Sequence, residues 1–317
     1  MSAIQQLLAS YGAPVATANT FFHQVRTGTG ASASITPGFN STDLGALFIS
    51  KRTNAAQNHF ITDSVTGTGT SLQLPSTLSA SAAAHITAFG SSSITLGTGS
   101  STNASGVPYL DLVFQRTPGF LDIVTGNGVG SLISHNLGIT PGFIMGKNVS
   151  ANQLWGAWHR GTGAWPTPKT GLSPNSSLGA LATAGAAVTS TNFEPEIYGN
   201  SSGSLTNIDS SATRYYVFAH NPSGNIICDM YTGNGSAAGP VINLGWQPKF
   251  VMVKGVGATS WWFATEAGGW NNWYRFDNKC CIVTQTYITV SSTGFQLATT
   301  SADVNGSGSG YLFVAIR

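Results

Sequence analysis

Only eleven carboxylates and six histidines are spread over 317 residues, so few places in this chain could do acid–base chemistry. The one close pair of glutamates is Glu194-Pro-Glu196. Two carboxyls held about 5–9.5 Å apart across a sugar can hydrolyse a glycosidic bond, and alternate residues of a strand share a face. Pro195 between them argues for a loop or sheet edge, so a solvated loop is expected there. Trp158-His159-Arg160 sets an imidazole beside a guanidinium, but neighbours on a strand face opposite ways, and packing or surface capping is the expected role. No GxSxG elbow, HExxH helix or GxxxxGK phosphate loop occurs, which removes the common signatures of nucleophilic, zinc-hydrolytic and nucleotide chemistry. Neither an enzyme nor a cofactor or metal site is expected.

Binding is the better prospect. Tryptophans at 155, 158 and 165, and again at 261, 262, 270 and 273, crowd the later part of the chain. Indole faces stack on sugar rings while the N–H keeps a polar handle. Gly268-Gly-Trp-Asn-Asn-Trp-Tyr274 reads as the best exposed turn, because Gly and Asn favour turns. In Ser260-Trp-Trp-Phe263 alternation sends one indole to the core and the other out. The favoured reading puts these rings in cores and subunit interfaces, where Trp is also enriched. Trp155, Trp158, Trp165, Trp262, Trp270, Trp273 and Tyr274 are therefore the candidate contacts for a glycan or a protein partner.

Composition narrows the partners. Charged residues make up 8 % and the net charge is +2, against roughly 25 % charged in an average soluble protein. The few Lys and Arg never form a run, so the electrostatic footprint of a nucleic-acid binder is missing. No stretch of about eighteen apolar residues predicts a membrane span. Residues 1–18 lack a basic n-region and do not read as a secretion signal. The three cysteines, Cys228, Cys280 and Cys281, make a poor disulfide framework. Reduced thiols packed as small hydrophobes are expected, with a Cys228–Cys280 or Cys228–Cys281 bridge as the alternative.

What must position all of this is a repeat. Thr232-Gly-Asn-Gly235 is followed by Leu244-Gly-Trp-Gln-Pro-Lys-Phe-Val-Met-Val-Lys254. Thr125-Gly-Asn-Gly128 precedes Leu137-Gly-Ile-Thr-Pro-Gly-Phe-Ile-Met-Gly-Lys147 in the same way. A more worn copy runs from Thr27-Gly-Thr-Gly30 to Leu44-Gly-Ala-Leu-Phe-Ile-Ser-Lys51 and lacks the proline. Short alternating strands punctuated by Gly, Asn, Ser and Pro surround each copy, as in all-β sandwiches. Candidate strands in the first copy are 47–51, 59–62, 72–74, 85–89, 93–96 and 109–114. The expected organisation is an N-terminal anchor peptide at 1–19 and β-sandwich units at 20–117, 118–222 and 223–317. In the anchor, Ile4, Leu7, Leu8 and Tyr11 share one face of a two-turn helix. A Gly-rich turn without a following helix is a hairpin signal and not a phosphate site, so the repeated motif is read as a frame.

The order of these signals, with the junction Phe114-Gln-Arg-Thr-Pro-Gly-Phe-Leu-Asp-Ile-Val-Thr-Gly-Asn-Gly128 and the leader Ser2-Ala-Ile-Gln-Gln-Leu-Leu8, is similar to a repeated domain of uncharacterised function. That domain is widespread in virion proteins of tailed bacteriophages and prophages. The resemblance covers about 22–317 and is strongest from 104 onward. It implies tandem antiparallel, jelly-roll or lectin-like β-sandwiches in a fibre, tail or capsid-decoration component. It implies a virion location after assembly in the host cytoplasm, self-association as a homotrimer, and contacts to other virion proteins through the N-terminal segment. Host surface glycan is the alternative partner, and a glycan-degrading tail spike a more remote one. The resemblance carries no known chemistry.

Overall fold

The computed structural model describes residues 19–82, 85–127, 132–162, 170–182, 188–195 and 212–317. It is an all-β, antiparallel, sandwich-type fold. Three large inner sheets dominate. The first runs in the order Phe21–Thr27, Pro108–Gln115, Ala46–Arg52, His59–Asp63, Thr70–Leu74, Ser81–Ala82. The third repeats that order strand for strand: Ile226–Thr232, Gly310–Ile316, Phe250–Gly255, Trp261–Thr265, Asn272–Arg275, Val283–Thr284. The second has Leu121–Gly126, Thr213–Ala219, Pro141–Asn148 and Gly156–His159, and Leu172 continues it by bridging Ala157.

Register makes the copies equivalent. The strand that ends in the motif lysine pairs with the closing strand through Leu47–Phe114, Phe143–Phe218 and Phe250–Ile316. A small outer sheet covers the far face of each inner one. Ala33–Ile35, Ile94–Leu96 and Ile86–Phe89 form the first, and Val241–Asn243, Gly294–Leu297 and Ile288–Ser291 the third. Ile133–Ser134 with Asn192–Phe193 forms the second.

Both faces of the central inner strands are therefore buried, and alternation distributes their side chains between two cores. Phe48 and Val113 point to the first outer core, while Leu47, Ile49, Leu112 and Phe114 point inward. In the third copy Val251 and Val253 serve the outer core, and Phe250 and Met252 the inner one. The inward rows of all three sheets meet in a single cluster. Phe114 of the first lies 5.7 Å from Phe218 of the second and 6.2 Å from Phe250 of the third, both edge-on. Full burial of one such ring stabilises by about 1.5–3 kcal/mol, so the three-way junction is where the apolar stabilisation concentrates. A small apolar space of about 30 Å³ remains between Phe114, Phe143, Phe218, Phe250 and Met252.

One expectation needs correcting. Trp261 and Trp262 do alternate, but neither faces solvent: Trp261 enters the inner cluster and Trp262 the third outer core. The reason is that the sheet is covered on both sides.

Candidate functional site

The repeated Thr-Gly turn is closed on itself in the first and third copies, while Gly128 of the second lies outside the described residues. Gly28 N–H donates to Val107 O at 2.7 Å and Gly30 N–H to Asn103 O at 2.7 Å. In the third copy Gly233 donates to Ser309 O at 2.8 Å and Gly235 to Asn305 O at 2.9 Å. The buried amides Asn103 and Asn305 tie the two turns together. Asn305 Oδ1 accepts from Asn234 N, and its Nδ2 donates to Ser236 O and Thr299 O. Asn103 does the same with Thr29 N, Ala31 O and Gly97 O. Tyr109 and Tyr311 brace the knot, each hydroxyl accepting a backbone N–H and donating to a carbonyl one short helical turn earlier. A Cβ on Gly28 would sit 2.2 Å from Ala104 O, and one on Gly233 2.4 Å from Gly306 O. The backbones approach too closely for any ligand to enter, and the motif acts as a frame.

The motif lysines are buried as well, and Lys51 and Lys147 donate across to a neighbouring unit. Lys51, Lys147 and Lys254 are each at most 1 % exposed. Lys147 Nζ donates to Gln153 O at 2.8 Å, to Ala151 O, and to Thr77 O of the first unit. Lys51 Nζ donates to Gln57 O at 2.6 Å and to Lys279 O of the third unit at 2.7 Å. Lys254 Nζ donates to Gly255 O and Gly257 O, in the loop whose Val256 O accepts from Ala180 N of the second unit. Burial pushes each ammonium down to about 8 from the usual 10.5, and the carbonyl acceptors oppose that by favouring the charged form. In the sequence these lysines mark only the repeat. Their recurrence at the end of an apolar strand, in a chain with so little charge, was the available signal.

Tryptophans complete two of the seams. Trp155 Nε1–H donates to Gln73 O of the first unit at 3.0 Å. Trp261 Nε1–H donates to Ser173 O of the second at 2.9 Å. At the third seam the equivalent position is His59, whose Nδ1 meets Leu74 O of its own unit at 3.1 Å while its ring packs 5.3 Å from Phe276 of the third unit. His59 Nε2 is buried with no hydrogen-bond partner. Asp63 adds a buried link between the first two units, accepting from Tyr216 Oη at 3.0 Å with Arg214 Nε 3.6 Å away.

The aromatic candidates therefore go mostly to the interior. Trp155, Trp158, Trp262, Trp273 and Tyr274 are all buried and offer no face to a sugar. Trp270 is half-buried and packs on the third outer core. Of the Gly268–Tyr274 turn, it alone retains a partly exposed indole. Trp165, the anchor residues Ile4, Leu7, Leu8 and Tyr11, and Glu196 lie outside the described residues. Glu194 is half-buried. His159 is fully enclosed, its Nε2 3.0 Å from Phe313 O of the third unit, and burial holds it down to about 4. Cys228 is buried and its thiol donates to Ala219 O, whereas Cys280 and Cys281 lie together at the surface, all three unbridged. Among the described residues no cluster of three His, Cys, Asp or Glu could hold a metal, and no helix is long and apolar enough to cross a membrane.

The larger open recess, of about 590 Å³, lies in the third unit. Trp246, Gln247, Lys249, Glu266 and Ser292 line it. Glu266 also reaches His23 of the first unit at 3.9 Å, and Ala267 N–H donates to His23 Nδ1. An indole edge, an amide and charges of both signs can orient a polar ligand.

Residues 113–317, more than half of the chain, match the model of a family described as a domain of unknown function, DUF7483. No curated protein matches the chain.

Proposed function

The chain belongs to the DUF7483 family, whose function is unknown, and we propose that it is a structural protein of a bacteriophage virion. In this reading it is a fibre, tail or capsid-decoration component that is assembled in the host cytoplasm and presents β-sandwich units on the particle, without catalysis. The observation that carries the proposal is the use made of the chemically capable residues. Lys51, Lys147, Trp155, Trp261, Asp63 and Arg214 all serve to join one β-unit to the next. Low charge and many hydroxyls at the surface suit such a role, as does the sequence resemblance. Self-association as a homotrimer and attachment through the N-terminal segment belong to the same reading.

The test is made on particles. Mass spectrometry and labelled electron micrographs of purified virions are expected to find the full chain on the particle. Deletion of residues 1–14 is expected to leave it in the soluble lysate. Virions that never contain the chain would refute the proposal, and virions that retain the truncated form would refute the anchor. Sedimentation of the purified chain as a single-chain species would remove the trimer.

Recognition of host surface glycan is the second reading, supported by the recess beside Trp246 and by half-buried Trp270. A glycan array probed with wild type, Lys249→Ala and Trp270→Ala distinguishes it. Binding that one of these substitutions weakens at least tenfold supports glycan contact; no binding by wild type discards it.

A further inference from the structure

The turn 278–281 lies between the last two strands of the third inner sheet, on the seam with the first unit. It is held by one bond within the turn and by two from the first unit. Asn278 Oδ1 accepts the Cys280 N–H at 2.7 Å. Lys279 O accepts from Gln57 N at 2.8 Å and from the Lys51 ammonium at 2.7 Å, both from the first unit. The turn so held presents two adjacent thiols outward, Cys280 exposed and Cys281 half-buried, with their sulfurs 3.1 Å apart.

From this geometry we propose that Cys280 and Cys281 are a redox modification site, a vicinal dithiol that reacts with small-molecule disulfides and closes into an intramolecular disulfide. Cys280 is the attacking thiol. It is the more exposed of the two, and the Cys281 thiol and N–H donating to its sulfur, together with the nearby cations Arg275 and Lys51, pull its pKa down. A lowered pKa raises the fraction of thiolate, the nucleophilic form.

The chemistry balances without any metal. The Cys280 thiolate attacks one sulfur of an external disulfide RSSR. A bond forms between Cys280 Sγ and that sulfur, and RS⁻ leaves and takes up a proton. Cys281 then gives up its proton and attacks Cys280 Sγ, expelling the second RS⁻. Two cysteine thiols are oxidised with loss of two hydrogens, and one RSSR is reduced to two RSH. Adjacent Cα atoms are about 3.8 Å apart, closer than the roughly 4.4–6.8 Å usual for a disulfide, so the product is strained and easily reduced. Reversibility is the expected behaviour. Cys228 provides an internal control, because it is fully enclosed and burial pushes its thiol up.

The experiment is native incubation of the full chain with oxidised glutathione, followed by intact mass measurement and peptide mapping. Wild type is expected to lose two hydrogens on the peptide carrying 280–281, to retain no glutathione, and to recover on mild reduction. C281S is expected to stop at a single glutathione adduct on Cys280, and C280S to react at least tenfold more slowly than C281S. Cys228 is expected to stay unmodified throughout, which shows that the variants remain folded. A wild type that keeps free thiols, that accumulates stable glutathione adducts, or that links to a second chain would overturn the proposal.

Discussion

The seams between the units differ in a way that the units themselves do not. Where the second unit meets the first, and the third meets the second, an indole N–H crosses to a neighbouring carbonyl. Where the first meets the third, an imidazole takes that place, bonds within its own unit, and leaves Nε2 without a partner. A buried nitrogen of this kind costs about 1–3 kcal/mol. The closing seam relies instead on a tilted ring contact between His59 and Phe276 and on Lys279 O, which receives both Gln57 N–H and the Lys51 ammonium. Two seams are thus pinned by an indole N–H, and the third by the Lys51 ammonium on Lys279 O and by Ala267 N–H donating to His23 Nδ1. The difference teaches that a repeated sheet order leaves the joints free to vary, and it predicts unequal responses to substitution.

The largest effect is expected from Trp155→Ala. It empties a fully buried site and deletes the hydrogen bond across the first seam, at a cost of about 3–5 kcal/mol, measurable by denaturant unfolding. Lys147→Met is next. It leaves Thr77, Ala151 and Gln153 carbonyls without their shared donor, and a loss of about 1–3 kcal/mol is expected from the unmet acceptors. A loss as large as that of Trp155→Ala would show that the ammonium dominates the joint.

Acid should act through the buried imidazoles. Burial holds His59 down to about 3 and His159 to about 4, against 6.5 when unfolded. The unfolded chain therefore binds more protons in that window. Their contribution is complete above pH 6.5 and is lost as pH falls towards 3, so Tm should decline across that range. For the lysines the sign is the same in a higher window: folded values of about 8 against 10.5 make stability rise with pH between those limits. The smallest effect is expected from His59→Phe. It removes the unpartnered nitrogen along with the bond to Leu74 O, and stability should change by no more than about 1 kcal/mol. Its acid response should be weaker than that of wild type.

Much of the fold was legible in the sequence because alternation and turn chemistry are local. The strands expected at 47–51, 59–62 and 109–114 lie within observed strands. The first copy lacks the motif proline, yet Gly45, like Gly138 and Gly245, takes a positive φ (90°, 72° and 79°). That left-handed turn is what the motif requires, so the copy departs less than its residues suggest. The destination of each face was not legible. Phe114 alternates identically whether its partner is an outer sheet, a second chain or Phe218 of the next unit. The tryptophans were ambiguous for the same reason. Composition fits core and binding roles alike, and a sheet covered on both sides leaves Trp158, Trp262 and Trp273 no route to solvent.

The central claim is that the three β-units are one structure closed on a common core. Differential scanning calorimetry of the purified full chain tests it most directly. A single transition is predicted, with calorimetric and van't Hoff enthalpies equal, and with Trp155→Ala shifting that whole transition downward. Two or three separable transitions, only one of them moved by Trp155→Ala, would contradict it.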